Sequence, residues 1–206
     1  MTCLDMGAGT TGISVFTGGN FVYGDSLGMG GNHITNDIAD AFSMSLAEAE
    51  RLKTLHTSVL TGPSDYGAAV TADEDHSSLG MISKADLSDV ARIRLEQIFV
   101  EVRERLRASG VAPMSGQRLV LTGGASELIG AAELAAQIFG KQPRLGHPRL
   151  VGLPRQVANP AFSAPLGLLL HLLEDSRGVS VGVTPEIIAA SQGYLARVGQ
   201  WLRESF

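Results

Sequence analysis

Asp5 ends a predicted strand, and Gly7-Ala8-Gly9-Thr10-Thr11 follows before the chain turns back through Gly12-Ile13-Ser14-Val15-Phe16. A carboxylate, a glycine-rich turn and paired hydroxyls are the residue types that hold a phosphate and its counter-ion. Gly7 and Gly9 allow positive φ, so the turn can be tight with its N–H groups aimed inward. Beside the hydroxyls of Thr10 and Thr11, such amides form a small anion-binding concavity. Asp5 can orient waters around a metal that accompanies a phosphate. A hairpin that is merely glycine-rich accounts for the same residues, because short glycine motifs are weakly specific.

A second stretch, Arg118-Leu119-Val120-Leu121-Thr122-Gly123-Gly124-Ala125-Ser126, runs an apolar strand into a Gly-Gly turn. Side-chain-free Gly123 and Gly124 let a flat ligand approach the backbone. The helix expected from Ser126-Glu127 through Phe139 would turn its positive end toward an anion. Between the two stretches, Glu50 and Lys53 share one face of a predicted helix. They serve equally well as a solvated ion pair, worth a few tenths of a kcal/mol (about 0.3).

The elements that must carry these residues follow from periodicity. Cys3–Val15 and Phe21–Leu27 read as a meander turning at Gly18-Gly19-Asn20. Gly28-Met29-Gly30-Gly31-Asn32 leads into a helix that Asn32 or Thr35 can cap, with Ile34, Ile38, Ala41 and Phe42 facing a core. Ser45 caps the next helix, whose Leu46, Ala49, Leu52 and Leu55 have helical spacing. Thr61–Lys84 reads as loops or short strands, and its Asp73-Glu74-Asp75 cluster as a solvated tip. A long helix then runs from Ser83 to Ser109-Gly110, with Leu87, Val90, Ile93, Ile98, Val102 and Leu106 on its buried side. Arg92, Arg94, Glu96, Arg103, Glu104, Arg105 and Arg107 form its polar face. A strand and loop follow over Arg144–Leu153, then a helix over Phe162–Leu173.

The 206 residues suit one medium domain or two small lobes. A formal net charge of -5 argues against a nucleic-acid-binding chain, which would show a basic face. Cys3 is the sole cysteine, read as a small hydrophobe of the first strand, and a cytosolic setting is natural. No apolar run approaches the roughly 20 residues of a membrane-spanning helix, and the five histidines have no ligand spacing.

Glu174–Pro185 is charged, small and glycine-bearing, as a tether would be. Beyond it, Leu195, Val198, Leu202 and Phe206 fall along one side of a helix at 100° per residue, flanked by Tyr194 and Trp201. Such a helix can lie in a membrane interface. It can also dock on its own core.

In this order the stretches resemble the second half of the actin-like ATPases, the fold of actin and the sugar kinases. Within that superfamily they are most similar to FtsA, a family of bacterial cell division proteins. Gly30-Gly31-Asn32, Asp37-Ile38-Ala39, Ala49–Lys53, Leu121–Ala125, Arg144-Leu145-Gly146 and Gln200–Phe206 carry the likeness. The resemblance implies an α/β fold: an actin-like (ribonuclease-H-like) nucleotide lobe with an inserted α/β lobe and a C-terminal amphipathic helix. Residues 1–32 and 116–175 would form the split nucleotide lobe, 33–115 the inserted lobe, 176–189 the tether and 190–206 the membrane anchor. It further implies ATP and Mg as cofactors. Asp5 would hold the metal through water; Gly7, Gly9, Thr10 and Thr11 the phosphates; Glu50, Lys53, Gly123 and Gly124 the adenosine. Arg94 matches an arginine of the region that receives the C-terminal tail of the tubulin-like FtsZ. Tyr194, Leu195, Val198, Trp201, Leu202 and Phe206 would enter the lipid surface of the cytoplasmic membrane at the division site.

Two residues depart from the family pattern. Ala8 stands where a third glycine is common, and Gly12 where many relatives carry an acid. A complete member has another half before this one, with the first phosphate motif. That half is expected to be missing here, so the chain alone should hydrolyse negligible ATP and self-associate into filaments less readily. A sugar or acyl kinase fragment of the same superfamily, and a binding module that needs no nucleotide, stay open as alternatives.

Overall fold

The computed structural model describes residues 1–60, 62–63, 65–70, 81–149 and 157–178. Its centre is a five-stranded sheet built from β1 (Thr2–Met6), β2 (Thr11–Thr17), β3 (Asn20–Leu27), β6 (Arg118–Thr122) and β7 (Gln142–Leu145), in the order β3-β2-β1-β6-β7. The first three strands form the expected antiparallel meander, turning at Gly18 and Gly19, both at positive φ. β1 pairs with β6 in parallel, and β6 with β7 likewise. Parallel neighbours need long crossovers, and helices supply them. α1 (Gly31–Phe42), α2 (Leu46–His56), a short hairpin of β4 (Ala69–Val70) with β5 (Ile82–Ser83), and α3 (Lys84–Ala108) lie between β3 and β6. α4 (Ala131–Phe139) joins β6 to β7.

Alternation along β1 and β2 buries Leu4, Met6, Ile13 and Val15, and this layer continues into Ile34, Ile38, Leu52, Leu95 and Phe99. Residues Met1–Ala164 form one compact unit. Within it α3 packs against both α1 and α4. The Phe99 and Phe139 rings, 5.8 Å apart and edge to face, are part of that seam. The second unit begins at Pro165, inside α5 (Ser163–Gly178), where Leu168 and Leu169 are exposed. No helix among the described residues is long and apolar enough to cross a membrane.

Several expected faces are rotated or interrupted. On α3 the buried stripe runs through Leu87, Ala91, Leu95, Ile98, Phe99, Val102 and Leu106, whereas Ile93 is 70% exposed. Ile93 stands two positions, about 200°, from both Ala91 and Leu95, so it faces away from the core. α2 buries only Ala49 and Leu52, leaving Leu46 and Leu55 exposed, and Ala41 of α1 is also exposed. α1 is capped by the backbone at Gly30, with neither Asn32 nor Thr35 as the cap. The helix expected from Ser126 is a short 3-10 turn, Gly124–Glu127, followed by a break at Gly130 before α4 starts. Gly130 has φ +87°, and a Cβ there would lie 2.6 Å from Leu60 Cγ.

Candidate functional site

The turn between β1 and β2 is closed by the Gly7 N–H donating to the Thr10 carbonyl at 2.9 Å. Its other carbonyls face α1: the Gly31 N–H donates to Gly7 at 2.9 Å and the Asn32 N–H to Ala8 at 2.8 Å. The turn thus satisfies two of the donors that every helix start leaves open. Gly30 makes this approach feasible, because a Cβ there would sit 2.5 Å from the Gly7 oxygen. The N–H groups of Ala8, Gly9 and Thr10 make no backbone bond to a described residue, which leaves them as donors for an anion.

Two expectations about this turn are corrected. Neither Gly7 nor Gly9 uses positive φ. Gly7 answers instead to space, with the Thr10 oxygen 3.2 Å from where its Cβ would be, while Gly9 has open surroundings. Thr11 is fully buried, and its hydroxyl donates to the Met29 carbonyl at 2.8 Å. Its side chain fixes the exit from β3, with the hydroxyl engaged there; Thr10 is exposed.

Parallel pairing sets Asp5 opposite Thr122 and so brings the two glycine turns side by side. Gly123 adopts φ +82°, ψ 159°, donates its N–H to the Pro160 carbonyl at 3.1 Å and accepts from both the Ser126 N–H and its hydroxyl. A Cβ on Gly123 would lie 2.5 Å from Asp5 Oδ1. Asp5 lies under this turn with no hydrogen-bond partner among the described residues, and burial pushes its carboxyl above the ordinary value.

The side wall comes from α1 and α2. The Lys53 ammonium, its side chain only 11% exposed, donates to Glu50 Oε2 at 2.6 Å, Thr35 Oγ1 at 2.8 Å and the Gly31 carbonyl at 3.2 Å. All three of its N–H bonds are therefore engaged. The Thr35 hydroxyl donates to the same Glu50 oxygen. Burial tends to raise the Glu50 carboxyl, but the bonds from Lys53 and Thr35, with the Lys53 charge, outweigh it and hold the group below the usual carboxylate range. Glu50 thus stays ionised, with its side chain 48% exposed.

Together these pieces line a cleft of about 490 Å³, within the size range of small-molecule sites. Of the residues singled out from sequence, Gly7, Glu50, Lys53 and Gly124 line it; Asp5, Gly9, Thr10, Thr11 and Gly123 stand outside its lining. Ala8, Gly31, Asn32, Thr54, Thr57, Glu127, Leu128 and Ile129 also line it and were missed. The Gly30-Gly31-Asn32 run, one of those that carry the family likeness, was the signal in the sequence for two of them. No trio of His, Cys, Asp or Glu that could hold a metal occurs among the described residues. Arg94 is bound bidentately by Asp37, with Nη2 to Oδ1 at 2.7 Å, and this pair joins α3 to α1. Tyr194, Leu195, Val198, Trp201, Leu202 and Phe206 lie outside the described residues.

Solved structures share this fold. The chain is similar to one in a PilM–PilN type IV pilus biogenesis complex (TM-score 0.61, 22% identity, 82% of this chain and 45% of that one). It is also similar to MreB5 of Spiroplasma citri bound to AMPPNP (TM-score 0.61, 16% identity, 86% and 55%). The fold is that of the actin-like ATPases. The family profile of the cell division protein FtsA matches residues 2–167. FtsA of Agrobacterium fabrum is 37% identical over 98% of this chain and 47% of its own length; that of Rhizobium meliloti is 38% identical over 98% and 47%. FtsA of Escherichia coli K12 is 30% identical over 98% and 50%. The chain belongs to the FtsA family of cell division proteins, and it spans about half the length of the curated relatives it matches.

Proposed function

We propose that the cleft binds an adenine nucleotide, ATP with Mg, and that the chain is part of an adaptor tethering FtsZ filaments to the cytoplasmic membrane at the division site. The observation that carries the nucleotide reading is the convergence of two glycine turns and the Glu50 carboxylate on one cleft, though they are far apart in sequence. The free amide of the cleft-lining Ala8 would take the phosphates, with the amides of Gly9 and Thr10 next to it in the turn beyond the cleft's lining. Gly124, held in place by the Gly123 turn, and Glu50 would take the adenosine, with Leu128 and Ile129 as apolar wall. The partnerless Asp5 suits a hydrated cation, since magnesium keeps most of its waters and needs only one or two carboxylates. When bound, the ion would supply neutralisation of phosphate charge. A MreB5 relative by fold carries AMPPNP in its solved structure.

Calorimetric titration of Mg-ATP into the chain tests this reading. Saturable binding is expected for the wild type and for Ile93→Ala, a surface change remote from the cleft lining. Glu50→Ala should weaken binding by about tenfold, the worth of one hydrogen bond to a charged group. An absence of heat with the wild type would sink the nucleotide reading. Family membership and the sequence of the terminal segment support FtsZ and lipid as the partners.

A further inference from the structure

The wall of the cleft that carries Gly124 continues into Glu127, Leu128 and Ile129, and Glu127 brings the cleft a second carboxylate besides Glu50. Glu127 leans on a segment from beyond β7. Its Oε1 accepts from Asn159 Nδ2 at 2.9 Å, while Asn159 Oδ1 accepts from the Ala161 N–H at 2.8 Å. The second bond settles which way the amide points, so its NH2 faces Glu127. Asn159 opens the 3-10 turn Pro160–Phe162, and the Pro160 carbonyl accepts the Gly123 N–H at 3.1 Å. One short segment therefore grips both the glycine turn and the carboxylate that follows it. Oε2 of Glu127 has no partner among the described residues.

The two carboxylates have different surroundings. Glu50 is bonded to Lys53, which also bonds the Gly31 carbonyl, and the Gly31 N–H reaches Gly7, so Glu50 belongs with the phosphate turn. Glu127 is followed by Leu128 and the 61% exposed Ile129, the apolar surface that a flat base needs. A carboxylate accepts hydrogen bonds and donates none. At the edge of a base it therefore selects for an amino group. We propose that Glu127 is the specificity-determining residue of the cleft: its free oxygen accepts from the 6-amino group of adenine, and Asn159 is the positioning residue that holds it there. The ribose hydroxyls fall to Glu50. The inference rests on the nucleotide reading above and supplies a reason why the base is adenine.

Calorimetry on the whole chain compares Mg-ATP with two analogues. The Mg complex of purine riboside triphosphate carries hydrogen in place of the amino group, and Mg-2′-deoxy-ATP lacks a ribose hydroxyl. The wild type should prefer ATP over the first analogue by about tenfold, the worth of one hydrogen bond to a charged group. Glu127→Ala should abolish that preference and leave the preference over 2′-deoxy-ATP at its wild-type value. This comparison isolates the pairing of one side chain with one ligand group. Asn159→Asp keeps an oxygen for the Ala161 N–H but sets a like charge against Glu127, so it too should lower the preference for the amino group. Melting curves report the folding of each variant separately. If Glu127→Ala retains the preference for the amino group, or erodes only the preference over 2′-deoxy-ATP, the carboxylate does not read the base and the proposal is refuted. If Asn159→Asp keeps the wild-type ratio, its positioning role is refuted. A wild type that binds ATP and the first analogue equally overturns this inference alone, whereas one that binds none of the three ligands overturns the nucleotide reading as well.

Discussion

A half-buried carboxylate without a hydrogen-bond donor is an energetic cost, and among the described residues Asp5 has none. Its folded-state value lies above its unfolded one, so its contribution to stability is fully present below the unfolded value. That contribution is lost as the pH rises through the folded value. Asp5→Asn removes the charge and should therefore raise the melting temperature of the nucleotide-free chain at neutral pH. The gain should shrink as the solution is acidified through the carboxylate range, and thermal melts at several pH values check it. The same variant should weaken Mg-ATP more than metal-free ATP, and a variant that is less stable at neutral pH would contradict the account. Asp5 was legible as a candidate because its type and its place at a strand end are local facts. Thr11 was not, because the Met29 carbonyl that engages its hydroxyl comes from beyond β3. Arg94 shows the same limit: Asp37, which binds it, lies on a different helix, and nothing local to α3 announces it.

At the scale of elements, the two adjacent glycines after β6 have different jobs. Gly123 holds a backbone conformation that is essentially restricted to glycine, and its missing side chain makes room for Asp5 and the Met6 carbonyl. Gly124 has no positive φ, and a Cβ there would make only an ordinary contact at 3.6 Å with Ala161. Gly123→Ala should therefore cost at least about 1–3 kcal/mol, whereas Gly124→Ala should stay within about 0.5 kcal/mol of the wild type. Urea unfolding measures both, and equal effects would refute the distinction. The strands were legible because alternation and the Gly18-Gly19 turn agree with one another. Helix existence was legible too, but helix phase was less so. On α3 small Ala91 continues the buried stripe, where side-chain size alone favours Val90 and Ile93. The break before α4 depends on Leu60 packing over Gly130, a contact from a distant loop that no local pattern encodes.

For the whole molecule, the adaptor reading requires one chain to join two partners, and the terminal segment 190–206 is where lipid would be met. On a helical reading of its sequence, Leu195, Val198, Leu202 and Phe206, flanked by Tyr194 and Trp201, would share an apolar side, with arginines at 197 and 203. Gly199 lowers the intrinsic helix stability of the segment in water by about 1 kcal/mol, which favours ordering on contact with a surface over ordering in solution. With one acid beside the two arginines the segment carries little net charge, so insertion of aromatic and aliphatic groups must dominate over lipid charge. Co-sedimentation with liposomes should therefore retain the intact chain at low and at moderate salt alike, and should fail after removal of residues 190–206. Trp201→Glu should release the chain while leaving the melting temperature of Met1–Ala164 unchanged. FtsZ should pellet with liposomes only when the intact chain is present. If the shortened chain still carries FtsZ to the vesicles, the anchor lies elsewhere and the division of labour between cleft-bearing unit and terminal segment is wrong.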